Sequence, residues 1–443
     1  MPEKVMPGPV EGTGGIREAA RLCATYADAT TAKVAVVGSG LMGMISGSAI
    51  GNVVATGVFT IPSMKKAGYT NEWAATVEAV SSTGGQIMPP IMGAAAFIMA
   101  EMTGYEYSDI IVRAILPAFL YFLGIFLGVH FKAKKLGLVG LKREELPKWK
   151  LLLPKIYLLL PLIILTWMVI AGQTMAKSAI YGTIVAIVVG IINKDDRMTP
   201  TKFVNGLENG GKNCLSIGIA CGIAGIISVC ITMTGLGGKL ITYVVKLSNG
   251  HLFIALFLTM ICCIILGMGV PTTANYIIMA STCAPILING MGMHILAANM
   301  FVFYFGIVAD ITPPVALAAY AGAAIAKAPP MKTALNATRL AIAAFIIPYI
   351  FAYNNAMIFV GDVTFFGVAS IVISATLGMA SIASGFMGYL IHDLKWYSRI
   401  ALIAGGLLMV IPGTVTDLAG LAILIVILLI QRAENKKEKK AAV

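Results

Sequence analysis

The sequence predicts an all-α polytopic membrane protein built from inverted repeats, with two re-entrant helical hairpins and two discontinuous transmembrane helices. Three observations predict it. Hydrophobic residues make up 58% of the 443-residue chain and charged residues 12%, against roughly 25% charged in soluble domains. Apolar stretches of about 20 residues, the length that crosses a bilayer, recur along the chain. One helix-breaking dipeptide occurs twice in matching apolar surroundings, as Ile87-Met88-Pro89-Pro90-Ile91-Met92 and Ile311-Thr312-Pro313-Pro314-Val315-Ala316.

Taken in order, residues 1–33 read as a short non-membrane segment, because Pro2, Pro7, Gly8, Pro9, Gly12, Gly14 and Gly15 preclude the apolar core of a signal peptide. Residues 34–131 read as a first transport repeat: hairpin arms at 34–45 and 53–64, a broken helix at Pro89-Pro90 and a span at 110–131. Residues 132–250 hold a basic loop and scaffold helices at 151–171, 177–193 and 213–233. Residues 251–360 form the second repeat, with arms at 252–268 and 277–288, the break at Pro313-Pro314 and a span at 334–358. Residues 361–443 are a membrane extension, with apolar runs at 364–391 and 400–430, and a basic tail. Each hairpin arm is read as about 12 residues, too short for the roughly 30 Å hydrocarbon core, hence re-entrant.

The two repeats superpose with a shift of 224 residues, from Pro89 to Pro313, and the same shift sets Ser46–Asn52 against Val270–Tyr276. Backbone groups freed in hydrocarbon cost several kcal/mol each, so irregular backbone persists there only where protein or a water-filled cavity satisfies it. Paired breaks in corresponding places of a duplicated chain point to the midplane binding site of a secondary transporter.

The formal charge of +12 does not imply nucleic acid, because the cations lie in short clusters between apolar runs. Cytoplasmic loops of membrane proteins carry an excess of Lys and Arg. On that rule Lys132, Lys134, Lys135, Lys142, Arg143, Lys148 and Lys150 lie inside, with Lys194–Lys202, Lys327–Arg339, His392–Arg399 and the C-terminal tail. The acidic segment Glu101–Asp109 lies outside. The exceptions Lys177, Lys239 and Lys246 can snorkel to the interface. The first broken helix then runs outward and the second inward.

The candidate cation ligands are oxygen donors at the interruptions. Ser46, Ser48 and Asn52, with Thr83, Gly84 and Gly85 as a second unwound stretch, suit a weakly held hard cation such as sodium. A partner site draws on Gly267, Gly269, Pro271, Thr272 and Thr273 with Asp310 and Thr312. Asp310 stands out, since an acid within an apolar segment costs at least ~2.5 kcal/mol and is functional by default. Gln86, Asn275 and the N–H groups flanking Pro89-Pro90 and Pro313-Pro314 are placed at an anionic substrate, because helix ends attract anions. Arg113 and Arg339 read as interfacial cations.

Other motifs carry blander readings. Gly38-Ser39-Gly40-Leu41-Met42-Gly43 matches the dinucleotide fingerprint, but no acid follows about 20 residues on and no βαβ unit surrounds it. No nucleophile elbow encloses Ser46 or Ser48, so no enzyme and no resident cofactor are expected. Cys214, Cys221 and Cys230 read as a helix-packing face, and His130, His251, His294 and His392 as interfacial groups.

The runs Ser46–Gly57 (SGSAIGNVVATG), Ser82–Ala96 (STGGQIMPPIMGAAA) and Gly267–Tyr276 (GMGVPTTANY) resemble the large membrane subunit of tripartite ATP-independent periplasmic (TRAP) transporters. The closer likeness is to fused permeases of the TAXI branch, with Pro412-Gly413-Thr414-Val415-Thr416-Asp417 in the terminal extension. That resemblance implies sodium-driven uptake of a small organic anion handed over by an extracytoplasmic solute-binding protein, with an elevator-type movement of the hairpin-bearing part. It places the chain in the inner membrane, beside a small membrane subunit or a missing N-terminal membrane segment, since fused permeases start with further helices. Two alternatives are a sodium/dicarboxylate carrier that needs no binding protein and a truncated, non-transporting remnant.

Overall fold

The computed structural model describes residues 31–138, 157–193, 197–361, 363–410 and 413–441. The predicted N-terminal segment up to residue 30, Lys142, Arg143, Lys148, Lys150, Lys194 and Pro412 lie outside the described residues. In chain order the helices are α1 (Thr31–Ser46), α2 (Ala49–Lys66), α3 (Asn71–Gly85), α4 (Ala94–Thr103), α5 (Tyr107–Lys135), α6 (Leu160–Ile170), α7 (Met175–Ile192), α8 (Pro200–Met233), α9 (Leu236–Ser248), α10 (Leu252–Gly267), α11 (Thr272–Thr282), α12 (Ala284–Met291) and α13 (Ile295–Val308). A 3-10 turn at Ala309–Ile311 precedes α14 (Leu317–Ala326), α15 (Pro330–Leu340) and α16 (Ile342–Tyr353). The extension holds α17 (Phe365–Met387), α18 (Trp396–Val410) and α19 (Thr414–Ala441). No strand occurs among the described residues, and five helical stretches there are long and apolar enough to cross a membrane. The protein is an all-α integral membrane protein.

Two compact units contain these helices. In one, α6 and α7 pack as an antiparallel pair, with the Leu165 side chain against Gly182. The other holds both repeats and the extension. There α1–α2 and α10–α11 are helix–turn–helix hairpins, and α3–α4 and α13–α14 are the broken helices.

The broken helices are covered on every side. Trp73–Gly85 of α3 and Leu296–Val308 of α13 are buried at every position, as expected of a helix enclosed by others. They also start from opposite ends of the unit. Beside the start of α5, Tyr105 Oη and His294 Nε2 are 3.1 Å apart, so α13 begins there. Near the finish of α5, Lys132 Nζ lies 5.3 Å from the Trp73 ring centroid, so α3 begins at the other end. The two repeats therefore run in opposite directions, as the charge pattern predicted. The groups expected inside also gather at one end: Lys332 pairs with Glu72 at 2.8 Å, Lys135 with Asp393 at 3.1 Å and Lys395 with Glu434 at 3.0 Å.

Beyond its break, each broken helix packs on the other repeat. α14 lies against α2 and α3, where a Cβ on Gly322 would stand 3.1 Å from Ala75 O, and α4 lies against α11. Each copy completes the other's core.

Three local expectations change. Three of the four hairpin arms are longer than 12 residues: α1 has 16, α2 18 and α10 16, whereas α11 has 11, because the polar interruption shrinks to the turns Gly47-Ser48 and Met268–Pro271. Residues Thr83, Gly84 and Gly85 are the last turn of α3 rather than an unwound stretch. Unwinding starts at Gln86, because these glycines serve close packing. A Cβ on Gly84 would meet the Tyr121 ring at 2.1 Å, and one on Gly85 would meet Gly43 Cα at 2.5 Å. The apolar run 400–430 is two helices, α18 and α19, which pack side by side.

Candidate functional site

Each hairpin meets its own broken helix through an asparagine one turn beyond the hairpin bend. In the first repeat Asn52 is fully buried on α2, and its Nδ2 donates to Ser39 O at 2.7 Å and Ser82 Oγ at 2.9 Å. In the second, Asn275 on α11 is 2% exposed and its Nδ2 donates to Gly306 O at 2.9 Å. Ser82 and Gly306 differ by the repeat shift of 224, as do Gly43 and Gly267. Both of those glycines face the asparagine amide: a Cβ would stand 3.1 Å from Asn52 Nδ2 and 2.8 Å from Asn275 Nδ2.

The consequence is electrostatic. Each amide directs its N–H groups at acceptors already in the fold, which leaves Oδ1 facing the other way. Asn52 Oδ1 and Asn275 Oδ1 are both buried and have no hydrogen-bond partner. A buried polar atom left unsatisfied costs about 1–3 kcal/mol, and native proteins rarely tolerate it without reason. Here it happens twice, at matched positions. We call these places the two cradles.

Gln86, 1% exposed, is the first residue past α3 and touches both hairpin bends. With its amide oriented by its surroundings, the nitrogen donates to Gly47 O at 3.3 Å and Thr272 Oγ1 at 2.5 Å, and the oxygen accepts from Ala49 N at 3.1 Å. One side chain thus joins the two copies.

The breaks themselves resemble each other closely. The prolyl–prolyl bond is cis in both. Met92 (φ 56°) and Ala316 (φ 37°), again 224 residues apart, both take the left-handed region that side chains avoid. A tyrosine hydroxyl holds each second proline: Tyr107 donates to Pro90 O at 2.8 Å and Tyr320 to Pro314 O at 2.6 Å. Gly47 and Gly93 touch backbone to backbone, a Cβ on Gly47 standing 2.8 Å from Gly93 Cα.

Among the other predicted residues, Ser46 and Ser48 are exposed at the first bend, and Ser48 caps α2 by accepting from Gly51 N at 3.2 Å. Thr83 returns its hydroxyl to Ala79 O at 2.8 Å, and Thr312 its own to Val308 O at 2.8 Å. Gly269 (φ 77°) and Pro271 shape the second bend, Pro271 O accepting from Asn275 N at 2.9 Å. Thr273 is buried on α11. Asp310, 7% exposed, lies in the 3-10 turn, and its carboxylate has no hydrogen-bond or ion-pair partner among the described residues. Pro89, Pro90 and Pro313 are half-buried and Pro314 exposed. Arg113 lies 5.1 Å from the Tyr105 ring centroid and Arg339 is exposed.

Reading the sequence missed Glu78, Gly43, Ser82 and Gly306. Glu78 satisfied the same criterion as Asp310, an acid inside a membrane-buried helix, but its Ser- and Thr-rich surroundings hid the helix as a membrane element. The dinucleotide-like glycines fall within α1, where Gly40 makes room for the Phe122 ring. Cys214 and Cys230 are exposed rather than on a packed face. Among the described residues no three His, Cys, Asp or Glu side chains gather.

A search of curated proteins returned no match. The family model for the DctM component of the tripartite ATP-independent periplasmic transporter matches residues 19–366, which include both hairpins, both breaks and both cradles. The chain therefore belongs to the DctM family and is the large permease component of a TRAP transporter.

Proposed function

We propose that this permease couples sodium entry to uptake of a small carboxylate-bearing anion that an extracytoplasmic solute-binding protein delivers. The matched pair of orphaned amide oxygens, Asn52 Oδ1 and Asn275 Oδ1, carries the reading. Each is a neutral, fixed oxygen one turn beyond a hairpin bend, the kind of donor that holds a hard cation reversibly. Transition metals favour imidazole and thiolate, which the cradles do not offer. Asn275, expected at the substrate, is assigned to the second cation by its equivalence with Asn52. Asp310 supplies negative charge close to that cradle, on the 3-10 turn where a Cβ on Gly267 would stand 3.0 Å from the Ala309 side chain.

The anion is assigned to the space between the two bends, at Ser46, Ser48, Gln86 and Thr272, with Pro89-Pro90 and Pro313-Pro314 setting the ends of the broken helices. Because Gln86 already bonds both bends, its part is to fix their separation. The hairpins are read as re-entrant, the C-terminus as cytoplasmic and the membrane as the inner membrane. A small membrane subunit, or the membrane segment that fused permeases carry ahead of the first hairpin, is the remaining partner.

Sodium binding is tested without knowing the substrate. Purified protein should melt at higher temperature in sodium chloride than in potassium chloride. Asn52→Ala and Asn275→Ala should each raise the sodium concentration for half the shift about tenfold, or about 1.4 kcal/mol. Asp310→Asn should weaken it at least as much. No sodium-specific shift in the parent protein would overturn the sodium assignment. Uptake into proteoliposomes that proceeds equally well without the binding protein would replace it with the stand-alone carrier.

A further inference from the structure

Outside the cradles, the first repeat encloses an acid for which neither the fold nor the proposed cation sites have a use. Glu78, at the middle of α3, is fully buried. Its two oxygens accept from four hydroxyls: Ser39 Oγ at 2.8 and 2.9 Å, Ser82 Oγ at 3.2 Å, Thr56 Oγ1 and Thr60 Oγ1. These come from both hairpin arms and the broken helix. No lysine, arginine or histidine among the described residues pairs with it.

The second repeat shows that this architecture does not require an acid. The repeat shift carries Glu78 onto Val302, Ser39 onto Cys263 and Ser82 onto Gly306; counted from Asn52 to Asn275, one residue less, it carries Thr56 onto Met279 and Thr60 onto Cys283. Cys263, Met279, Cys283 and Val302 are all buried. The same junction is therefore filled once by soft apolar groups and once by a carboxyl group in a hydroxyl cage. Burying a carboxyl group is costly even when hydrogen-bonded, so its presence in one copy needs a ligand to explain it.

The cage is closed by direct hydrogen bonds, the Ser39 hydroxyl standing 2.8 Å from one carboxyl oxygen and 2.9 Å from the other, and the ligand that enters without parting these bonds is a proton. The cage also has a second bonding arrangement ready. Thr60 Oγ1 lies 3.1 Å from Thr56 O, Thr56 Oγ1 lies 2.7 Å from Asn52 O, and Ser39 Oγ lies 3.3 Å from Thr56 Oγ1. Each of these hydroxyls can turn its hydrogen away from Glu78 and keep a partner.

We propose that Glu78 is a proton-binding site of the first hairpin, loaded and unloaded within the intact fold, so that the permease holds an exchangeable proton as well as its other ligands. A proton from water bonds to Glu78 Oε2, which then donates to Thr60 Oγ1, and the Thr60 hydrogen turns to Thr56 O. No group of the cage is left unsatisfied in either state. Thr56 and Thr60 are only half-buried, which gives the proton a route along α2. The charged and titratable groups of the packed elements are engaged elsewhere. Lys33 of α1 lies over Phe126, Lys65 of α2 donates to Ala326 O, and Tyr121 and Lys132 of α5 meet Val80 O and the Trp73 ring. Lys332 of α15 pairs with Glu72, Arg339 is exposed, and Asp310 belongs to the second break.

Infrared spectroscopy of the full-length protein in lipid, titrated with acid, tests this directly. A carboxylic-acid C=O band should grow on acidification, shift when the protein carries 13C-glutamate, survive in Asp310→Asn and be lost in Glu78→Gln. A band unmoved by labelled glutamate, or one equally strong in Glu78→Gln, would overturn the proposal, as would the absence of any titrating band. Because the chain has twelve glutamates, Glu78→Asp in 13C-glutamate protein covers the case where the glutamine variant does not fold: it keeps a carboxyl group in the cage, and its band should no longer shift with the label. The proposal does not rest on the sodium reading: a sodium-specific melting shift measured on the same sample can fail or succeed independently of the band.

Discussion

At the scale of single residues, the glycines around the cradles have a purpose other than flexibility. Gly43 lies in a helix, and a Cβ there would stand 2.8 Å from Ser82 O and 3.1 Å from Asn52 Nδ2. Neither neighbour is the far end of a flexible chain. Gly43→Ala should therefore force the hairpin off α3, at the 1–3 kcal/mol or so typical of overpacking, and lower both the melting temperature and sodium affinity. Gly206 in α8 has nothing within 4 Å of its would-be Cβ. Gly206→Ala should be neutral or stabilising by up to about 1 kcal/mol, since glycine in a helix interior is the poorer former. Equal losses in both variants would refute the packing argument. Asp310 could be recognised in the sequence because it stands alone among apolar residues. The role of Asn275 could not, because the asparagine follows the cradle glycine by nine residues in the first repeat (Gly43 to Asn52) and by eight in the second (Gly267 to Asn275), and a single shift pairs Asn52 with Tyr276.

At the scale of elements, the positions of both breaks and both hairpins were readable from proline and small polar residues. Their extents were not. Glycine and serine in a water-soluble chain end helices, but inside a packed bundle they let backbones approach, and α3 runs on through Gly84 and Gly85 for that reason. The extension shows how such an element is fastened. The C-terminal carbonyls of α17 have no helical partner, and Arg399 reaches back to Gly385 O at 2.9 Å and Phe386 O at 3.1 Å. Arg399→Ala should cost about 1.5–3 kcal/mol, the range for hydrogen bonds to a charged group, read as a lower melting temperature. Lys395→Ala removes an exposed pair with Glu434 and should cost under about 1 kcal/mol. A larger loss for Lys395 would reverse the order argued here.

Across the whole molecule, different side chains mark the two ends of the unit that carries the repeats. Lys132, Lys135, Glu72, Lys332 and Lys395 gather at one end, and Tyr105, Glu106 and His294 at the other. Single cysteines at Lys332 and Glu106 should label from opposite faces of sealed vesicles, Lys332→Cys only from the cytoplasmic side. Labelling of both from one side would contradict the antiparallel repeats. The small contact at Gln86 then has a large consequence. A single amide grips Gly47 on one bend and Thr272 on the other, so anything that repositions either loop strains a hydrogen bond to its counterpart. Thermodynamic linkage makes such influence mutual and equal in size. A ligand that moves one bend should therefore be felt at the other, through a tether one residue wide, and Gln86→Ala should remove that influence.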